Sequence, residues 1–301
     1  MSGAPEQPLE RRIAQGLAAR VHPAVAAFAK RLAEDAGAGA ALFYGSNLRT
    51  GDLEGVLDFY LLLPGAQAER IWPRVSYHEW EHGGRTLRAK VARMAAGTFE
   101  RAARGDSRDT TIWARFVQPS ALVWSQGEEW RLRTVAAITQ AARTAARLAA
   151  ALGPESGIAE DYWRALFRAT YRAEFRVEKP GREDSILAVN AAHFAGLLPL
   201  AWEAQGIAFA REGERLAPRL TAGERRRVLR WWAQRRRLGK PLNLARLLKA
   251  STTFDGAARY AAWKIERHTG VPVAVTPWRE RHPVLAAPGV LLRVWRARKA
   301  R

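Results

Sequence analysis

A Gly-Ser pair and one aspartate, each beside an apolar stretch, are the residues of this chain best suited to chemistry. Gly45 and Ser46 follow the apolar residues 41–44, and eleven residues separate Ser46 from Asp58, which stands inside the apolar run 56–63. A Gly-Ser turn can hold a phosphate with its backbone N–H groups and hydroxyl, whereas a carboxylate among apolar side chains must be paired or bind a metal. A phosphate-binding turn and a nearby carboxylate are the smallest set of groups that metal-assisted nucleotidyl transfer requires. On these residues alone, an aspartate that caps a loop in an unrelated α+β fold remains the alternative.

The two apolar runs are predicted to be neighbouring strands, and the second one orients the aspartate. Side chains alternate along a strand, so 56–63 should have two faces with one carboxylate on an otherwise apolar or aromatic surface. One face carries Val56, Asp58, Tyr60 and Leu62, and the other carries Leu57, Phe59, Leu61 and Leu63.

Helices and further strands are predicted around this pair. Helical spacing over 13–36 predicts one helix, or two that are separated at Pro23. Residues 85–94 alternate and predict a third strand, with Arg88 and Lys90 on its polar face. This mixture favours an α+β domain. The remaining predictions for this part are helices over 66–72 and 97–104, a short strand or turn over 112–118, and a strand over 122–124.

The second half of the chain is mostly helical. Helices are predicted over 131–152, 158–171 and 185–204, and residues 175–184 are predicted to form a hairpin or wing before the third helix. This order is compatible with a small winged-helix-like domain. Three further helices are predicted over 222–238, 243–249 and 255–269.

The composition points to a polyanionic partner. The 301 residues carry a formal net charge of +20 and contain no cysteine, which excludes a disulfide framework and a thiolate metal site. Such a charge suits nucleic acid, an anionic lipid surface or a phosphate-rich substrate, although a bias in codon usage also produces an arginine-rich chain. No apolar run has the length of about 20 residues that spans a bilayer, and the first residues lack an apolar signal core.

Four segments, in order, resemble the mitochondrial-type phosphatidate cytidylyltransferases, the maintenance-type CDP-diacylglycerol synthases and their bacterial relatives. They are FYGSNLR…VLDFYLLL (43–63), GGRTLRAKV (83–91), IWARFVQPSALVW (112–124) and TYRAEFRV (170–177), with a looser match over 247–270. The family's first segment has the Gly-Ser turn of the polymerase β-like nucleotidyltransferases. Those enzymes carry an acid-x-acid pair on the next strand, and Tyr60 occupies the second acid position here, as this family also tends to lack that acid.

The resemblance implies an activity, a fold and a cofactor. The family joins CTP and phosphatidic acid with the help of Mg²⁺ and releases CDP-diacylglycerol and pyrophosphate. The implied fold class is α+β: a nucleotidyltransferase-like mixed-sheet domain, then a helical winged-helix-like domain, then a basic amphipathic C-terminal region. The predicted boundaries are an N-terminal helical segment over 1–36, followed by regions over 37–127, 128–220 and 221–301.

The resemblance also assigns roles to residues. Gly45 and Ser46 would hold the β- and γ-phosphates, Asp58 would bind Mg²⁺, Lys90 would neutralise charge in the transition state, and Arg115 would clamp a phosphate. From the second domain, Tyr171 and Arg176 would contact the nucleotide and Glu174 would supply a second metal-binding carboxylate. The chain departs from the family pattern at five positions, Ala114, Gln118, Arg172, Ala173 and Glu174, where the family has Gly, often Lys, Ser, Gly and Asp. Without the resemblance, Lys90 and Arg115 could equally be solvated surface charges.

Basic stretches that also contain tryptophan suggest where the partner binds. In 224–240, Trp231 and Trp232 could stack on nucleic-acid bases or pack into the core of the protein. In 290–301, tryptophan at an apolar–basic boundary favours an anionic membrane surface. We therefore expect a cytoplasmic protein peripheral to the inner face of the membrane, with no nucleic-acid partner. The predicted membrane-binding residues are Leu291, Leu292, Arg293, Trp295 and Arg296.

Two other functions fit the same sequence. One is a nucleotidyltransferase that modifies another acceptor, such as an RNA end, a protein or an antibiotic. The other is a basic nucleic-acid-binding protein built on a degenerate transferase fold. The histidines show no metal-ligand spacing.

Overall fold

The fold combines helices with a mixed five-stranded sheet, which confirms the predicted α+β class. The structure is a computed structural model that describes residues 8–173, 182–281, 286 and 289. The elements of the first half are α1 (Pro8–Leu17), α2 (Pro23–Ala36), β1 (Ala40–Tyr44), α3 (Ser46–Thr50), β2 (Leu57–Leu63), β3 (Arg74–His82), β4 (Arg85–Ala95), α4 (Ala96–Ala103), α5 (Thr111–Phe116) and β5 (Ser120–Ser125).

The strand order β3-β4-β2-β1-β5 places the Gly-Ser strand and the aspartate strand side by side. β1 and β2 are antiparallel, with Tyr44 opposite Asp58. β2 and β4 are parallel, with Asp58 opposite Lys90. The register therefore brings the end of β1, the start of β2 and the middle of β4 to one place in the sheet.

The two faces of β2 pack into different cores, as the alternation predicts. Tyr60 and Leu62 belong to a core that also contains residues of α4, α5 and the first helix of the second half. Leu57 and Phe59 belong to a core formed with α2. Each fully buried apolar side chain of this size contributes about 2 kcal/mol, so a one-residue slip of β2 would expose one set of core residues.

The local predictions for the first half are partly confirmed. Pro23 begins α2, which confirms the alternative of two helices over 13–36. The segment 66–72 is not helical, and the edge strand β3 that follows it was not predicted. The segment 112–118, predicted as a strand or turn, contains helix α5. Just before this helix, Asp109 accepts hydrogen bonds from the backbone N–H and the hydroxyl of Thr111, the first helical residue.

The second half contains a helical unit with a small sheet. Its strand order is β6-β8-β7, and β7 and β8 form an antiparallel hairpin. The elements are α6 (Glu128–Leu152), β6 (Gly157–Ile158), α7 (Ala159–Ala173), α8 (Arg182–Val189), α9 (Ala191–Phe194), α10 (Leu197–Glu203), β7 (Phe209–Glu212), β8 (Arg215–Pro218), α11 (Ala222–Thr253), α12 (Ala257–Thr269) and α13 (Pro277–Arg281).

The predicted wing and its neighbouring helices also differ from the structure. Residues 182–184 of the expected wing lie in α8, and its other residues, 175–181, lie outside the described part of the chain. The described hairpin is β7–β8, after α10. The helix predicted over 185–204 is three short helices, while the two predicted over 222–238 and 243–249 are the single helix α11.

The described C-terminal residues fold back onto both parts of the molecule. Asp255 accepts a hydrogen bond from the backbone N–H of Tyr77 on the edge strand β3 and pairs with Arg74 at 2.9 Å. On α11, Trp231 and Trp232 pack against the buried Trp113 of α5 at centroid distances of 6.0 and 6.2 Å. No helix in the described ranges is long and apolar enough to cross a membrane.

Candidate nucleotide site at the Gly45 bend

Gly45 forms a sharp bend at the end of β1 that brings the chain against Asp58. Its φ of 92° and ψ of −162° lie in a region that side-chain-bearing residues rarely adopt. A Cβ atom placed on Gly45 would also lie 3.2 Å from Asp58 Oδ2. Glycine is therefore required here for its backbone conformation and for the close approach of the carboxylate.

Asp58 and Lys90 face each other across β2 and β4. Lys90 Nζ lies 3.7 Å from Asp58 Oδ1, and the two side chains are 42% and 30% exposed. Burial raises the pKa of Asp58, and the positive charges of Lys90 and then Arg115 oppose that rise only in part. The carboxylate is thus accessible from one side and incompletely compensated, which is the state expected of a group that meets a further cation.

Arg115 reaches the same place from α5. Its guanidinium carbon lies 5.2 Å from the ring centroid of Tyr44, the residue before the bend. Burial raises the pKa of the Tyr44 hydroxyl; the Arg115 charge opposes this, and Asp58 adds to it. Tyr44 was not predicted as a site residue, although its position directly before Gly45 is a signal that could have identified it.

The loop after the bend is fixed by hydrogen bonds. Ser46 Oγ donates to Asn47 Oδ1 at 3.3 Å, and Asn47 Nδ2 donates to the carbonyl oxygens of Asp52 and Glu54 at 2.9 and 2.8 Å. The sequence predicted only a polar loop, and the structure places the short helix α3 at its start. Ser46 is exposed enough in this arrangement for its hydroxyl to turn toward a ligand.

Tyr60, at the second acid position, is a core residue. It is fully buried, its O–H donates to Met94 Sδ at 3.8 Å, and its ring packs on Phe99 and Phe116 at 5.6 and 5.4 Å. Burial raises the pKa of its hydroxyl. Tyr60 is therefore a poor metal ligand, and β2 offers the site one carboxylate.

A buried ion pair behind the site was not predicted. Asp109, 5% exposed, accepts hydrogen bonds from Thr111 at the start of α5 and pairs with Arg246 of α11 at 2.7 Å. Arg246 also donates to the carbonyl oxygen of Trp72 at 2.9 Å and lies 5.1 Å from its ring centroid. Since α5 carries Arg115, this pair helps to fix the helix from which Arg115 reaches the site.

The donor set at the bend fits Mg²⁺ held jointly with a substrate. Among the described residues there is no group of three or more histidines and acids that could hold a metal by itself. Mg²⁺ commonly uses one or two carboxylates and completes its coordination with water and substrate phosphates. Asp58, with a pKa raised by burial, and the hydroxyl of Ser46 are hard oxygen donors suited to this mode.

The remaining predicted site residues are not shown at the bend. Tyr171 lies on α7, where its ring packs 6.4 Å from Phe167. Trp232 is 3% exposed, so it packs inward and its predicted alternative role, stacking on nucleic-acid bases, is not supported. The other predicted positions lie outside the described residues: Glu174, Arg176, Leu291, Leu292, Arg293, Trp295 and Arg296.

No protein-family model matches this sequence, and a search of curated proteins finds no significant similarity. The function proposed below rests on the motif resemblance and on the geometry of the bend.

Proposed function

We propose that this protein is a phosphatidate cytidylyltransferase, which makes CDP-diacylglycerol and pyrophosphate from CTP and phosphatidic acid at a membrane surface. One observation carries the proposal. The carboxylate of Asp58 lies 3.7 Å from Lys90 and directly against the Gly45 bend, on the strand that follows the Gly-Ser turn. The motif resemblance adds the choice of CTP and of a lipid acceptor, which the geometry does not select.

The reaction needs no covalent enzyme intermediate. A phosphate oxygen of phosphatidic acid, already anionic at neutral pH, attacks the α-phosphorus of CTP. The new P–O bond forms as the bond from the α-phosphorus to the bridging oxygen breaks, and pyrophosphate leaves with that electron pair. No proton has to be removed from the acceptor, so the protein's tasks are orientation and charge stabilisation.

Each residue at the bend has one task in this reaction. Gly45 and Ser46 bind the β- and γ-phosphates through the backbone and the hydroxyl. Lys90 and Arg115 offset the negative charge that develops on the phosphate oxygens and on the leaving pyrophosphate. Asp58 would hold Mg²⁺, which supplies further neutralisation of the phosphates when it is bound.

The membrane part of the proposal rests on the tail. The basic residues of 290–301, interleaved with leucine and tryptophan, suit an interface with anionic headgroups, at about 1 kcal/mol for each arginine near the surface. A lipid substrate requires such contact. Flotation with vesicles that contain phosphatidic acid should recover the protein, and Leu291→Ala with Trp295→Ala should weaken that recovery.

The decisive assay mixes purified protein with labelled CTP, Mg²⁺ and phosphatidic acid and measures labelled CDP-diacylglycerol. Product should form and should vanish with a chelator. Asp35→Asn is the matched control for changes at Asp58, because Asp35 is a well-exposed aspartate on α2, outside the site. Label incorporated into another acceptor, with none in lipid, would reassign the substrate. Binding of RNA without any transfer would end the enzyme proposal.

A further inference from the structure

A second cationic cavity lies away from the Gly45 bend. It has a volume of about 460 Å³ and is bordered by the end of α4, the middle of α6 and the start of α11. It shares no lining residue with the bend. Its charged and aromatic lining residues are Arg104, Arg143, Arg147, Arg227, Glu224 and Trp231, and we call it the arginine cavity.

The acids near the arginine cavity are already engaged. Asp106 pairs with Arg104 at 3.0 Å. Glu224 accepts from the backbone N–H and the hydroxyl of Thr221 at 2.8 and 2.7 Å, as the cap of α11. Four arginines and one glutamate leave the lining residues with a net charge of +3.

Two of the arginines face the cavity without a carboxylate. Arg143 and Arg147 stand four residues apart on α6, so they lie on one side of the helix. In the part of the chain that the structure describes, neither guanidinium has a carboxylate partner within 4.0 Å. Like charges at this spacing destabilise a helix, and both side chains are half-buried. An anion between them would remove that cost.

Two arginines contact the ring of Trp231, so positive charge also lies against this wall of the cavity. Arg147 and Arg235 have their guanidinium carbons 5.4 and 4.1 Å from the centroid of the Trp231 ring. Arg235 is buried and donates to the carbonyl oxygens of Gly105, Ser107 and Trp231, and no carboxylate is among these partners. Burial lowers the pKa of Arg147, and the positive charge of Arg143 lowers it further, while Asp106 opposes the fall.

The cavity wall at Trp231 is closely packed. Trp231 Nε1 donates to the carbonyl oxygen of Gly105 at 3.2 Å, and a Cβ atom on Gly105 would come within 2.7 Å of the Trp231 ring. Gly105 also has a φ of 74°. Trp231 is therefore fixed in place as one wall of the cavity. Arg143 and Arg147 line the cavity beside it.

We propose that the arginine cavity binds a phosphoryl-bearing anion. Guanidinium groups bind phosphate oxygens in bidentate fashion, and a volume of this size accommodates a small ligand. The cavity also has an apolar side formed by Ile207, Leu220 and Val228. Such a ligand could be a soluble phosphate compound or the headgroup of a phospholipid, and the same phosphoryl chemistry serves both.

Calorimetric titration tests the proposal with two probes, inorganic pyrophosphate and monomeric dihexanoyl phosphatidic acid, in chelator and at about 150 mM salt to screen weak surface charge. Arg143→Gln should weaken binding about tenfold, which is the expected loss for one charge-assisted hydrogen bond. Arg227→Gln repeats the test at an exposed residue that cannot disturb the core. Arg85→Gln, at an exposed arginine that begins β4, is the charge-matched control.

Three outcomes separate the possibilities. Binding of pyrophosphate alone identifies a soluble anion, and tighter binding of the lipid probe identifies a headgroup; both support the proposal if the cavity variants weaken them. The proposal is overturned if neither probe binds, or if Arg143→Gln and Arg227→Gln bind as tightly as the wild type. It is also overturned if Arg85→Gln loses as much affinity as the two cavity variants. If Lys90→Gln alone weakens binding, the anion binds at the bend and the proposal is likewise overturned.

Discussion

Replacing Asp58 with asparagine separates the chemistry of this carboxylate from its effect on stability. Burial raises the pKa of Asp58 above its unfolded value, and Lys90 compensates only in part. Stability therefore falls as the pH rises through the window between the two pKa values, and at neutral pH the ionised group is a net cost to folding. Asp58→Asn removes the charge and little volume, so the folded state should not lose stability.

The solvent exposure of the two side chains limits the change in the free energy of unfolding. Because the Asp58 and Lys90 side chains are 30% and 42% exposed, Asp58→Asn should change this free energy by no more than about 1 kcal/mol, which corresponds to about 2 °C in melting temperature. Formation of CDP-diacylglycerol should fall by about 100-fold or more, as when one preorganised charged contact to a transition state is removed. This is the separation of stability from activity expected at a functional site.

Asp109→Asn serves as the comparison with Asp58→Asn, because this substitution should clearly reduce the stability of the folded state. Its side chain is 6% exposed and pairs with Arg246, whose charge the substitution would leave uncompensated. We expect a loss of about 3 kcal/mol, or about 6 °C in melting temperature. Thermal unfolding at neutral pH and the labelled-CTP assay measure both variants. A drop of about 6 °C for Asp58→Asn, or retention of full activity, would refute the reasoning about this carboxylate.

Two further changes test the bend, and a third tests a buried histidine outside it. Gly45→Ala should destabilise the protein by about 1–3 kcal/mol in urea titrations and abolish transfer, because of its positive φ and the contact with Asp58; a variant as stable as the wild type would refute the strained bend. Lys90→Gln should lower activity and move the acid limb of the pH–rate profile to higher pH, because removing Lys90 raises the pKa of Asp58 further; an unmoved limb would contradict this. Burial lowers the pKa of His193, whose ring bonds the carbonyl oxygen of Val117, so stability should fall as the pH drops below about 6.5. His193→Gln should show a smaller difference in unfolding free energy between about pH 7.5 and about pH 5.5, and an unchanged difference would place the effect elsewhere.

Local pattern was sufficient to predict the strands that carry the site. β1, β2, β4 and β5 were predicted from alternating or continuous apolar residues, and the face of β2 that carries Asp58 follows from period two alone. A glycine directly before serine likewise marked the bend. These features depend on residues close together in the sequence, which is why they can be read from it.

Elements whose identity depends on distant partners were not predicted. The six residues of α5 are too few to show a helical period, and Asp109, which accepts hydrogen bonds from the first residue of the helix, is held by Arg246, 137 residues away. The edge strand β3 carries many charged residues, so its pattern lacks the apolar face of its neighbours.

The sequence by itself determined the fold class, the bend and the strand that presents its carboxylate. Only the tertiary structure decided that Tyr60 is core, that Trp232 faces inward, and that arginines from α6, α11 and the residue after α4 surround one cavity. Burial and the convergence of like charges are properties of the packed chain. A stretch of sequence reports which groups are present, but the electrostatic cost of holding them together appears only when distant helices meet.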